Sequence, residues 1–248
     1  MHSMTGLDAF NWEFLGTALL LLLGNGACAL VNLRTSGARG SDWIVIALGW
    51  GMAVFIGASV ADPSGGHLNP AVTLLFAVNG SLEWGLVPYY VAGQLLGAMV
   101  GAILAWAAFK QLFDANNLDE QGNVTGANAQ TGGIFFTAPA HPKNGWNALT
   151  EFIGTSVLLM FIAFGPAGGE LGPLTYFGVA FVVVAIGLSL GTPTGYAINP
   201  VRDLGPRLMY AFVLPIRDKG SANWSYAWVP IVAPLAAAVA VGTLSVVL

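Results

Sequence analysis

His67-Leu68-Asn69-Pro70-Ala71-Val72 and Ala197-Ile198-Asn199-Pro200-Val201-Arg202 repeat one pattern, and its reading decides the fold. Proline suits the first turn of a helix, where its missing N–H has no intrahelical partner to lose, and an asparagine just before it caps that turn. Each motif therefore predicts a helix start. The first such helix is too short to cross a bilayer: residues 71–78 are apolar, then Asn79-Gly80-Ser81 ends the run. Ahead of each motif lies a stretch that cannot satisfy its own backbone groups, Ser64-Gly65-Gly66-His67 and Thr192-Pro193-Thr194-Gly195. In a membrane such backbone survives only where it is buried in protein or lines a watery cavity. Two half-helices that begin inside the bilayer are expected.

Outward from these motifs the chain reads as a membrane protein throughout. Of its 248 residues 56 % are hydrophobic and 8 % charged, against about a quarter charged in soluble domains. A bilayer core needs roughly 20 apolar residues per helix, and six stretches qualify: 10–33, 43–60, 87–109, 146–164, 174–190 and 228–248. Trp12, Trp43, Trp84, Trp106, Trp146, Trp224 and Trp228 fall at or near their ends, where an indole sits at headgroup depth. The N-terminus has no Lys or Arg before the first apolar stretch, which is too long for the core of a secretion signal, so no cleavable leader is expected. Net charge is −4 with no basic run, which leaves nucleic-acid partners without support. The single cysteine, Cys28, reads as a small core residue of the first span.

The two halves are copies. Glu13-Phe14-Leu15-Gly16-Thr17 recurs as Glu151-Phe152-Ile153-Gly154-Thr155, and Val91-Ala92-Gly93-Gln94-Leu95 is echoed by Ile231-Val232-Ala233-Pro234-Leu235. Residues 1–110 form the first repeat, 146–248 the second, and 111–145 a polar connection that reads as one extended loop outside the membrane. Three spans per half is an odd number, so the second repeat enters the membrane upside down relative to the first. The expected fold is an all-α membrane protein with six transmembrane helices and two re-entrant half-helices in two inverted repeats. Inversion brings the half-helix N-termini together near the midplane, with Asn69 and Asn199 facing one pore.

Two Asn-Pro motifs at mirrored positions, with both Glu-Phe-x-Gly-Thr segments, resemble the aquaporin superfamily over nearly the whole chain. Asn199-Pro200-Val201-Arg202-Asp203 resembles its glycerol-conducting branch, where Asp follows the Arg; Val201 stands where the family usually has Ala. The resemblance implies a passive channel for glycerol and water, a homotetramer in membrane lipid, no cofactor and no catalysis. It also implies a selectivity filter near the outer mouth, with Arg202 as its cation and Tyr196 in place of the usual Phe. Gly187 stands where water-specific members place His, and leaves space. Allowing for an apparent insertion of Ala61-Asp62-Pro63, Ile46 falls where glycerol channels often have Trp, so the filter is expected to lack one aromatic wall.

A glycerol-like solute needs a lane that is polar on one side and apolar on the other. Carbonyls of Gly65, Gly66, His67, Gly195, Tyr196 and Ala197 are the expected acceptors, and Arg202, Asn69 and Asn199 the donors. Each half-helix N-terminus carries roughly half a positive charge, and two facing one another oppose a cation at the midplane. Glu13 and Glu151 read as structural carboxylates that accept backbone N–H bonds from the re-entrant loops, and Asp203 as a support for the second half-helix. His67 is expected to brace its loop. A filter of this width points to slightly bulkier neutral solutes as well, such as dihydroxyacetone, urea or protonated lactic acid. With both termini in the cytoplasm, as the family places them, the outer segments hold Arg34, Arg39, Lys110, Lys143, Arg217 and Lys219 and the inner ones no Lys or Arg, the reverse of the usual bias.

Other classes fit less well. An ion-coupled secondary transporter shares inverted repeats and broken helices, but it needs titratable or cation-coordinating groups at its centre, where this chain has neutral asparagines. A junctional protein of the same fold would differ only in lacking conductance. No grouping of Ser/His/Asp, Cys/His or paired carboxylates suggests an enzyme.

Overall fold

The computed structural model describes residues 4–165 and 174–248, and ten α-helices account for most of them. In chain order they are α1 (Gly6–Asn32), α2 (Trp43–Val60), α3 (Pro70–Val78), α4 (Val87–Ala108), α5 (Lys110–Asn116), α6 (Gly132–Phe135), α7 (Asn144–Phe164), α8 (Thr175–Leu190), α9 (Pro200–Phe212) and α10 (Val229–Val247). Five of these, α1, α2, α4, α7 and α10, are long and apolar enough to cross a membrane; α8, the other expected span, is apolar but 16 residues long in its described part. The segment between α7 and α8, part of the inner side in the charge argument, lies largely outside the described residues.

Local chemistry starts the helices. Thr5 and Asp8 cap α1 reciprocally. Asn69 caps α3 through Ala71 N–H, and Asn199 caps α9 through the N–H groups of Val201 and Arg202, each with proline in the first turn.

Packing repeats between the halves. α1 lies on α4 as α7 lies on α10, and α2 meets α8 at the centre. The half-helices are exchanged: α3 packs on α10 of the second repeat, and α9 on α4 of the first. The halves therefore cannot separate without exposing both re-entrant segments. Gly93, Gly97 and Gly101 let α4 approach α1 closely, because a Cβ at these positions would stand 2.4, 2.4 and 2.5 Å from the carbonyl oxygens of Phe10, Phe14 and Ala18. Such small-residue spacing is how helices associate in lipid, where apolar burial gives no drive of its own.

The connection between the repeats differs from the extended loop read in the sequence. It contains α5 and α6 and turns inward, burying Phe113, Asn116, Asn117, Asn128, Ile134, Phe135, Phe136 and Thr137. Its asparagines do the folding. Asn116 accepts from Arg34 N–H and donates to Asn128, while Asn128 donates to the carbonyls of Phe113 and Arg217. High Asn and Gly content suits turns, so composition could not distinguish a solvated loop from a compact cover that satisfies its polar groups internally.

Candidate pore and its constriction

The re-entrant backbones are strained in matched places. Gly65 and Gly66 have φ of 87° and 59° and Leu68 53°; Gly195, Tyr196 and Ile198 have 81°, 39° and 43°. Left-handed non-glycine residues cost of order 1 kcal/mol or more each and persist only when their surroundings hold them. Two carboxylates do so. Glu13 accepts from His67 N–H (3.0 Å), Leu68 N–H (2.7 Å), Ser64 Oγ (2.7 Å) and Gln94 Nε2 (2.7 Å). Glu151 accepts from Ala197 N–H (2.9 Å) and Ile198 N–H (2.8 Å).

The two tips are joined crosswise. Asn69 Nδ2 donates to the Ile198 carbonyl and Asn199 Nδ2 to that of Leu68, both at 2.8 Å, while each Oδ1 caps its own helix. An amide carries two N–H donors, so each asparagine keeps one for the cavity that both line. Val201 is buried at this junction and does not prevent the reciprocal bonds.

That cavity, the inner one if the termini are taken as inside, runs past both asparagines, and a second, the outer one, opens on the opposite side; they share Tyr196 and Arg202. Gly65, Gly66, His67, Tyr196 and Ala197 line the first and Gly195 the second. The carbonyls of these six accept no hydrogen bond from any described protein group, whereas those of Leu68 and Ile198 are taken by the asparagines. The opposite wall is apolar, with Leu20, Val54, Val72, Leu158, Val179 and Val183. His67 is stacked between Phe76 and Tyr90, with Nδ1 3.1 Å from Thr73 Oγ1, and its ring faces the inner cavity.

At the constriction the structure corrects two readings. Ile46 lines the outer cavity, but the aromatic wall is present: Trp50, one helical turn further along α2, lines the inner cavity with the Arg202 guanidinium 3.9 Å above its ring. Ile46 and Trp50 are four residues apart, about one turn, which leaves the helix face unchanged and only the depth different. Nor does Gly187 leave open space. A Cβ there would meet the Tyr196 ring at 3.0 Å and Ala47 Cβ at 3.1 Å, so the tyrosine fills the gap. Trp43 is more than an interfacial anchor: its Nε1 donates to the Gly187 carbonyl at 2.7 Å, and its ring meets Tyr196 edge-on at 5.9 Å. The Tyr196 hydroxyl is buried without a partner among the described residues.

Arg202 has no carboxylate partner among the described residues; Nη1 reaches the Phe135 carbonyl at 3.4 Å. Asp203 instead pairs with Arg207 at 2.7 Å, both side chains fully buried, and accepts from Thr137 N–H and Oγ1. Arg207, unnoticed in the sequence, also donates to the Thr137 and Asn223 carbonyls and lies over Phe136. A basic residue five positions after Arg202, on a helix packed within the protein, was the available signal.

A polytopic helical protein with two exchanged half-helices around a lumen of unpaired carbonyls belongs to a narrow class. Residues 1–244 match the major intrinsic protein family, and the chain belongs to that family of membrane channels. It is 44 % identical over 230 residues to the glycerol uptake facilitator protein of Bacillus subtilis, covering 92 % of this chain and 80 % of that one. It is 45 % identical to that of Streptococcus pneumoniae, covering 90 % and 92 %. The solved structure of the aquaglyceroporin from Plasmodium falciparum superposes with a TM-score of 0.75 at 30 % identity, over 97 % of this chain and 95 % of that one.

Proposed function

We propose that this protein is a passive channel for glycerol and water that excludes ions and protons, with Trp50, Tyr196 and Arg202 as its filter and Asn69 and Asn199 at its midplane. The observation that carries this reading is the row of six unpaired carbonyls opposite an apolar wall. A polyol can lay its hydroxyls on the first and its carbons on the second. The names of the bacterial relatives support glycerol as solute. An unpaired Arg202 and two facing helix N-termini oppose cations, the barrier described in general terms for aquaporins. Neutral asparagines at the centre offer nothing to couple solute movement to an ion.

Slightly bulkier neutral solutes such as dihydroxyacetone, urea or protonated lactic acid belong to the reading as solutes with the same pairing of polar and carbon edges, although the missing wall that first suggested them is filled by Trp50. A lactate anion loses more hydration than a few hydrogen bonds restore, so lactic acid uptake should fall as pH rises above the acid's own pKa. A homotetramer is also part of it. Ile44, Leu48, Met52 and Ile56 form one exposed apolar stripe along α2, to be covered by lipid or by a second copy. No chemical step is proposed.

The test is a solute panel in proteoliposomes, with light scattering for flux and voltage clamp for ions. Glycerol flux linear in its gradient and insensitive to ionophores is expected, with no ionic current. Accumulation against a gradient would sink the channel reading, and equal lactate uptake at acid and neutral pH would sink the neutral-solute mechanism.

A further inference from the structure

Trp50 stands in a socket built by α1. Gly24 and Cys28, one turn apart on that helix, both meet it. A Cβ on Gly24 would lie 2.4 Å from Cε3 and Cζ3 of the ring, and the Cys28 sulfur accepts a hydrogen bond from Trp50 Nε1 at 3.4 Å. Glycine admits the ring, and cysteine decides which edge of it turns toward α1.

An indole has one polar edge, its N–H, and is carbon elsewhere. The χ2 torsion of tryptophan is broad and roughly two-fold, so the torsion alone leaves two placements of the N–H, and the Gly24 socket and the Cys28 sulfur select one of them together. Trp50 is 3 % exposed, and a buried donor without an acceptor is costly. The Cys28 sulfur is a weak acceptor, yet it is the partner this N–H has. With the N–H taken up by Cys28, itself on the wall of the outer cavity, and the Arg202 guanidinium over the ring face, Trp50 offers the inner cavity no free donor, only carbon.

We propose that Cys28 is a positioning residue of the filter: its sulfur occupies the Trp50 N–H and fixes the ring, so that the permeating solute meets a donor-free carbon wall. This rests on Trp50 and Arg202 forming the constriction. The wall then favours a three-carbon polyol, whose carbon edge can slide along it, over water, which has no carbon edge. Without the sulfur, the replacement acceptor is an oxygen in the lumen, of water or of solute. Polyols would then be held while passing, and water would gain a bonding site.

The experiment measures the glycerol-to-water permeability ratio in the same vesicles, which does not depend on how much protein inserts. Cys28→Val, near in volume and without an acceptor, should lower the ratio by about fivefold. Cys28→Ser should stay close to wild type, since its hydroxyl can donate to the carbonyl four residues back and keep a lone pair for the indole. In a Trp50→Phe background, which has no N–H, Cys28→Val should change the ratio no further. If Cys28→Val acts equally in both backgrounds, or Cys28→Ser loses as much as Cys28→Val, the positioning role is overturned and Cys28 is packing only. The filter reading has its own arm: Trp50→Ala with an unchanged ratio would overturn it without any change at Cys28.

Discussion

Arg202 is held by geometry rather than by a counter-charge, and that separates its role from the structural cation five residues on. With its guanidinium over Trp50 and no carboxylate partner among the described residues, its charge is available to the lumen. Arg202→Val should admit protons or small cations while neutral flux persists; voltage-clamped bilayers that remain silent would take this role from Arg202. Gly187 acts through its neighbour. Because a side chain there meets the Tyr196 ring at 3.0 Å, Gly187→His should drive the ring into the lumen and cut glycerol flux by about tenfold, with water flux falling less. Equal loss of both in a folded, inserted protein would mean that the ring moves elsewhere. The asparagines, Arg202 and Tyr196 were legible as candidates because a short motif surrounds each. Trp50 was not, since only the packing of α1, α2 and α9 shows which turn of α2 lies level with Arg202.

Among the elements, the half-helices and their loops are stabilised unequally. Glu13 meets four donors, so Glu13→Gln turns an N–H₂ group against groups that must donate, at a cost of roughly 2 kcal/mol or more. Glu151→Gln meets two backbone donors and should cost less. Thermal unfolding in detergent would rank the two, and the reverse order would refute this account of the loops. The outer cover depends on Asp203 and Arg207, both fully buried. Removing one partner of such a pair strands a charge and costs roughly 3–5 kcal/mol, so Asp203→Asn should unfold earliest of these variants. Protease sensitivity of the 111–145 connection should rise with it, because an asparagine amide keeps one oxygen and cannot accept from both Thr137 and Arg207. Unchanged proteolysis would show that the cover is held by its asparagines alone. The Glu pair could be read from the repeat. Of the contacts of Arg207 only the pair with Asp203, four residues back on α9, had a local signal; its other partners Thr137 and Asn223 lie 70 and 16 residues away.

For the whole molecule, the open matter is which way it faces. All six basic residues of the connecting segments lie on the Arg202 side, yet several are tied down there. Arg34 bonds Asn116 and Thr125, Lys110 bonds Asp114, and Lys219 bonds the carbonyls of Tyr210 and Leu214. Charges that brace the outer cover have a structural reason to be there, which weakens the usual statistical bias. We expect both termini in the cytoplasm; labelling of single cysteines placed at Asp8 and at Arg39 by a membrane-impermeant reagent on intact cells should modify only the second. Labelling of the first alone would invert the assignment. The sequence by itself determined the membrane class, the inverted repeat, the two half-helices and the asparagines at their starts, because capping, proline geometry and apolar run length are properties of a few adjacent residues. Only the tertiary structure decided that α3 and α9 are exchanged between repeats, that Trp50 rather than Ile46 lies under Arg202, that Tyr196 occupies the space left by Gly187, and that the indole N–H meets Cys28. Each of those depends on which helix lies against which and at what depth, and pairs as distant in sequence as Trp50 with Cys28 or with Arg202 carry no local record of it.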